Sequence, residues 1–169
     1  MDIQQVIEKL TQNFEGEFGN IEENYGMTSI QVRRASIFKI VQYLKDDLSF
    51  NFMTDITGIH FPDNDEEMRF AVIYHMQNMF ENVRVRLRVF LPENDLEVDS
   101  MTPLFVGANW MERETYDFFG IRFKNHPDLR RILNMDEMEV FPMRKEYPME
   151  DAGRTDIDDR FFGRSIHNE

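Results

Sequence analysis

Phe70-Ala71-Val72-Ile73-Tyr74-His75-Met76 and Val83-Arg84-Val85-Arg86-Leu87-Arg88-Val89 are two runs of alternating pattern separated by a short polar break. Side chains alternate across a strand, so Phe70, Val72, Tyr74 and Met76 share one face, and Val83, Val85, Leu87 and Val89 share the matching face of the second run. The pair reads as a β-hairpin with one side that must be covered. The covering layer is legible upstream. Ile3, Val6, Ile7, Leu10 and Phe14 recur at helical spacing until the Gly16 to Gly19 region stops them, and Ile37, Ile40, Val41, Leu44 and Leu48 form a second apolar stripe that Ser36 is placed to cap. Between them Thr28 to Val32 has β-branched character for a short strand. From Phe50 to Phe61 an alternation carrying Phe50, Phe52, Ile56 and Ile59 predicts another, before the turn Pro62-Asp63-Asn64-Asp65. Helix, strand, helix, then strands is the order of an α+β domain: two layers, with a mixed sheet and packed helices, over residues 1–120.

Pro92 to Pro103 reads as a polar, acidic connection. Asn109 to Gly120 reads as a short helix, with Asn109 and Glu112 spaced as a capping box and Gly120 suited to the left-handed position that ends a helix. Past Gly120 the pattern changes. Pro127, Pro142, Pro148, Gly153 and Gly163 interrupt any period, and aromatics stand singly or in pairs among charges, so residues 121–169 read as an extended C-terminal arm.

Composition excludes several functions. The 169 residues hold 32 acidic and 19 basic side chains, a formal charge of −13, which repels phosphate backbones and anionic lipid surfaces, so no nucleic-acid partner is expected. There is no cysteine, hence no disulfide, no thiolate nucleophile and no Cys-ligated cluster. His60, His75, His126 and His167 are too far apart for an HxxxH pair, so a dedicated metal site is not expected. No apolar run is long enough to span a bilayer, and Met1 to Leu10 carries Asp and Glu where a signal peptide carries Lys or Arg; the expectation is a soluble protein that stays in the compartment where it is made.

Five features carry chemistry or contact. Arg84, Arg86 and Arg88 share the strand face opposite the valines, either as a docking surface for an acidic partner or a phosphate, or as a solvated face balanced by nearby carboxylates. On the helix from Asn109, Trp110, Met111, Phe118 and Phe119 make an apolar arc that contains Glu114; this carboxylate sits at a rim or is buried and paired, with Arg130 and Arg131 as candidate partners. Glu112, Glu114 and Asp117 would serve an acid/base hydrolase, a remote alternative because no nucleophile, metal set or His stands near them in sequence. His126, before Pro127, is a proton carrier, a metal ligand or a hydrogen-bonding turn residue, the last being the commoner role. Phe141-Pro142, Tyr147-Pro148 and Phe161-Phe162, flanked by Arg144, Lys145, Arg160 and Arg164, are anchors for another surface or pack back on the parent domain.

The run Glu112-Arg113-Glu114-Thr115-Tyr116-Asp117-Phe118-Phe119, followed by His126 and by Arg130-Arg131-Ile132-Leu133, resembles the signature of the 30 kDa, or C, subunit of respiratory complex I. Phe141-Pro142-Met143-Arg144-Lys145-Glu146-Tyr147-Pro148 is similar to that family's Pro-Leu-Arg-Lys-Asp-Tyr-Pro segment, with Met143 for Leu and Glu146 for Asp, and Phe52 to Gly58 resembles its strand ending in an Asp-Ile-Thr turn. The likeness thins before about residue 50, and the segment after Glu150 lies beyond it. The resemblance implies a cofactor-free scaffold subunit in the hydrophilic arm of a proton-translocating NADH:quinone oxidoreductase. In that family FMN, iron–sulfur clusters and quinone sit in other subunits, and the partners are the 49 kDa-type subunit, on which the resemblance implies that the arm of residues 121–169 docks, and cluster-bearing neighbours. It also implies a peripheral place on the cytoplasmic side of the inner membrane, with membrane contact only through the complex, and no turnover by the isolated chain. The equivalent subunit of a related membrane-bound hydrogenase, or of a ferredoxin- or F420-linked dehydrogenase, is the alternative.

Overall fold

The computed structural model describes residues 1–147. In chain order it contains α1 (Ile3–Asn13), β1 (Phe18–Asn24), β2 (Met27–Val32), α2 (Ile37–Asp46), β3 (Phe52–His60), β4 (Phe70–Asn78), β5 (Val83–Leu91), β6 (Glu97–Asp99), α3 (Ala108–Phe119) and β7 (Arg122–Lys124), with single 3-10 turns before α2 and β4. Five strands form a mixed sheet in the order β1-β2-β5-β4-β3, parallel only between β2 and β5, and β6 and β7 form a separate parallel pair. The α+β fold class predicted from the periods is the one found.

The hairpin of β4 and β5 sits in register from Phe70 opposite Leu91 to Asn78 opposite Val83. Its inner face, Phe70, Val72, Tyr74, Met76, Val85, Leu87 and Val89, is fully or almost fully buried under Val6 and Leu10 of α1 and Ile37, Ile40, Val41 and Leu44 of α2. Each such side chain contributes about 1.5–3 kcal/mol on leaving water. At the start of α1, Asp2 and Gln5 close a reciprocal capping box.

Several local readings are corrected by the structure. Ser36 stands at the start of α2, but its hydroxyl donates to the Glu17 carboxylate instead of capping the helix. Along β3 a bulge between Met53 and Asp55 shifts the inward face to Met53, Ile56, Gly58 and His60, leaving Phe52 exposed and Ile59 on the other side. The polar segments 18–24 and 92–103 hide β1 and β6, because an edge strand and a three-residue strand carry no apolar alternation. The chain past Gly120 remains part of the folded unit: Ile121 and Phe123 are buried, and β7 pairs with β6.

Candidate functional site

Helix α3 lies on β3 at Gly58. A methyl group there would come within 2.6 Å of the Phe119 ring, and the Thr115 hydroxyl donates to the Ile56 carbonyl at 3.3 Å, so helix and strand approach as closely as glycine permits. The predicted capping box at Asn109 does not form, since α3 begins one residue earlier, at Ala108 after Gly107. Gly120 does end the helix in the left-handed region, φ +77°. A Cβ at that position would also meet Arg144 and Phe141 at 2.6 Å.

The buried side of α3 is polar. Glu112 is wholly enclosed: one carboxylate oxygen accepts from the Met101 N–H at 2.6 Å and the other from the Ser100 hydroxyl at 2.7 Å. Burial pushes its pKa up to about 7, and the Ser100 and Met101 hydrogen bonds offset part of that rise. His126 packs beside it, its Nε2 4.0 Å from Glu112. The Asp128 N–H donates to His126 Nδ1 at 3.0 Å, which leaves Nε2–H to donate to the Asn109 carbonyl at 3.1 Å. His126 is thus a hydrogen-bonding turn residue joining the loop after β7 to the start of α3.

Asp117 is the second enclosed carboxylate. One oxygen accepts from Arg131 at 2.8 Å, and the other from three successive backbone N–H groups, those of Ile132, Leu133 and Asn134, at 3.1, 2.8 and 2.9 Å. Burial alone would raise its pKa; the backbone donors and the Arg131 guanidinium outweigh burial and hold it well below the carboxylate range. Arg131 also donates to the carbonyls of Asp117, Met138 and Val140, and Arg113 donates to those of Arg130 and Arg131 at 3.2 and 3.0 Å. Phe141 lies between the guanidinium groups of Arg131 and Arg144, 5.1 and 4.8 Å from its ring centre, while Arg144 Nε donates to the Phe119 carbonyl at 2.8 Å. The Lys145 N–H reaches His60 Nδ1 at 3.0 Å. Together these bonds clamp residues 126–145 onto α3 and β3.

The arc assigned to Glu114 is split by the structure: Phe119 faces β3, Met111 and Phe118 pack partly against the core, and Trp110 and Glu114 face outward. Glu114 is exposed with no ion-pair partner among the described residues; Arg131 belongs to Asp117, and Arg130 pairs with Asp128 at 2.9 Å. Trp110 is 62% exposed with Arg113 over its ring, and Leu133 and Met135, held out by the Asp117 clamp, are 67% and 69% exposed. Phe118 is half-buried, and Met143, Lys145 and Tyr147 are on the surface. Phe141 packs back on the parent domain; Phe161-Phe162 lie outside the described residues. Glu112, Glu114 and Asp117 do not converge: each faces a different neighbour. Among the described residues no cluster of His, Asp and Glu is arranged to hold a metal ion, and no helix is long and apolar enough to cross a membrane. Ser100 carries no signal in the sequence, and nothing in spacing or composition marks the bonding roles of Thr115 and the three amides of 132–134.

Residues 30–153 match the family model of the respiratory-chain NADH dehydrogenase 30 Kd subunit. The chain belongs to this family. It is 39% identical over 146 residues to the NADH-quinone oxidoreductase C subunit of Citrifermentans bemidjiense, covering 86% of this chain and 89% of that one, and 43% identical over 126 residues to the C subunit of Paramagnetospirillum magneticum, 73% and 62%. Among solved structures, the trypsin-resistant fragment of Nqo5 is similar at TM-score 0.66 and 33% identity, over 75% of this chain and 98% of that one. A chain of an archaeal membrane-bound sulfane sulfur reductase shares the fold at TM-score 0.73 and 18% identity, over 86% and 85%. Within the matched segment, Glu112, Arg113, Asp117, Phe119, His126, Arg131 and Arg144 face inward and form the α3 clamp.

Proposed function

We propose that this chain is a cofactor-free scaffold subunit in the hydrophilic arm of a proton-translocating NADH:quinone oxidoreductase. It holds neighbouring subunits in register while electrons pass from NADH through their iron–sulfur clusters to quinone. The observation that carries this reading is the division of labour on α3. Its buried polar groups bond to the chain's own loops, while Trp110 and Glu114 on its outward side, with Leu133 and Met135 of the clamped loop, present exposed apolar side chains and one carboxylate to a partner. Electron transfer and quinone reduction need fixed distances and a dry site, so a subunit without redox groups contributes by rigidity. The partners are the 49 kDa-type subunit and its cluster-bearing neighbours. The chain sits peripherally on the cytoplasmic side of the inner membrane, attached through the complex. Beyond Tyr147, the residues Phe161-Phe162 between Arg160 and Arg164 supply further anchors for the same partners.

The fold shared with the sulfane sulfur reductase chain favours a second reading, the same structural place in a related membrane-bound complex with a different electron donor; the identity to the NADH-quinone oxidoreductase relatives weighs toward NADH. The test is omission and add-back. A complex lacking this chain should lose NADH:quinone reduction and regain it when the purified chain is restored, while the chain alone shows no flavin or cluster absorbance and no NADH oxidation. A stoichiometric redox group in the isolated chain, or full activity without it, contradicts the proposal.

A further inference from the structure

One rung of the main sheet carries a polar side chain on every strand. Glu22 pairs with Ser29, Ser29 with Arg86, Arg86 with His75 and His75 with Asp55, and residues paired across strands point the same way. This row lies on the face turned away from α1 and α2, which no layer of the described residues covers. Even so, Ser29 and Ile73 are only 2% and 4% exposed, because Arg88 and the rings of Phe61 and Phe90 wall the hollow around them. A cavity of about 260 Å³ opens there, lined among others by Ser29, Ile59, Ile73, His75, Arg86 and Arg88.

The donors in this cavity are incompletely used. Ser29 Oγ and Arg88 Nε are buried without a hydrogen-bond partner. Arg86 Nε donates to His75 Nε2 at 2.9 Å, which leaves its two amino groups unbonded among the described residues. Arg88 meets Glu22 only through its far nitrogen, at 3.4 Å, and Asp55 sits at the rim, half exposed, 3.9 Å from His75 Nδ1. A buried donor without a partner is costly, so native structures rarely keep two in one cavity unless something else meets them.

We propose that this cavity receives a carboxylate, the side chain of an Asp or Glu presented by a neighbouring subunit. A carboxylate accepts from the Ser29 hydroxyl, from Arg88 Nε and from the Arg86 amino groups, and its flat, singly charged head suits an arginine edge. Glu22 and Asp55 leave the site too little positive charge for a phosphate dianion. On a chain of net charge −13, the stripe Arg84, Arg86 and Arg88 is the place where an acidic partner is attracted instead of repelled. The source of the carboxylate rests on the reading of the chain as a subunit of an assembled complex; the pocket itself does not.

Arginine labelling with phenylglyoxal, read by peptide mass spectrometry on the full chain and on the assembled complex, separates these claims. In the free chain, acetate at constant ionic strength should slow labelling of Arg86 and Arg88 but not of the exposed Arg122. Ser29→Ala should weaken that protection about tenfold, the worth of one hydrogen bond to a charged group. In the complex both arginines should be protected without acetate. Failure of acetate to protect means water fills the cavity, and the carboxylate pocket is overturned. Acetate protection in the free chain with unchanged labelling in the complex overturns the partner's side chain as its source. A chain that does not co-purify with the complex at all refutes the scaffold reading, and leaves the acetate arm to decide the pocket.

Discussion

Two halves of this molecule are held by opposite chemistries. Under α1 and α2 the sheet buries an almost purely apolar layer, in which Leu10, Ile40, Tyr74 and Leu87 are wholly enclosed. Under α3 the enclosed side chains include Glu112, Thr115 and Asp117, with Arg113 and Arg131 nearly so, and shape is set by directed bonds to named carbonyls and amides. The apolar half tolerates exchange of one hydrocarbon for another, since its attraction has no direction. The polar half tolerates little, because each group removed leaves a buried partner unsatisfied. A loop of mixed polarity such as 126–145 can be fixed only in the second way.

The sharpest way to break this contrast is Asp117→Ala, which strands Arg131 and three amides at once. It should cost about 3–5 kcal/mol, as much as the largest apolar truncations in the other half, and should expose 126–145 to hydrogen exchange before the sheet. Denaturant unfolding of the isolated chain measures it; a cost below about 1 kcal/mol would make the clamp ornamental. Next is Gly58→Ala, which drives a methyl into the Phe119 ring and should cost about 1–3 kcal/mol by pushing α3 off β3, with less effect on Leu87 or Val72.

A smaller effect sharpens the comparison through pH. Glu112 titrates near 7 in the folded chain and near 4.5 when unfolded, so the native state holds a proton that the unfolded chain releases between these values. Stability then falls as pH rises through this window and levels off above it, by about 1 kcal/mol between roughly pH 6 and pH 8. Glu112→Gln should flatten that slope. Asp117 has the opposite sign: its depressed pKa stabilises above the ordinary carboxylate range, and that stability is lost as pH falls below it. Smallest of all is Glu114→Ala, expected to leave stability within about 0.5 kcal/mol while weakening retention in the complex.

The apolar half was legible in the sequence because periods of two and of 3.6 residues report burial directly: the hairpin of β4 and β5 and the stripes of α1 and α2 were read from spacing. The bulge in β3 was not, since one extra residue reverses the face without changing composition. On α3 the same reading failed for a physical reason. Projecting apolar residues puts Trp110 and Glu114 on the buried arc, and the structure exposes both and buries Glu112 and Asp117, because the groups that these two bond lie far along the chain, at Ser100, Met101 and 131–134. Spacing and the family likeness both single out Glu112, Asp117 and Arg131, and neither says which way they face.

Trp110→Glu separates a docking surface from a reactive centre on the outward side of α3. The side chain is exposed and touches the fold mainly through the Arg113 guanidinium over its ring, so the isolated variant should lose no more than about 1 kcal/mol. Its yield in the purified membrane complex should drop to near nothing, with NADH:quinone reduction falling in the same proportion. A variant that folds normally and assembles at the parental level would contradict the account, because the outward arc of α3 would then face no partner.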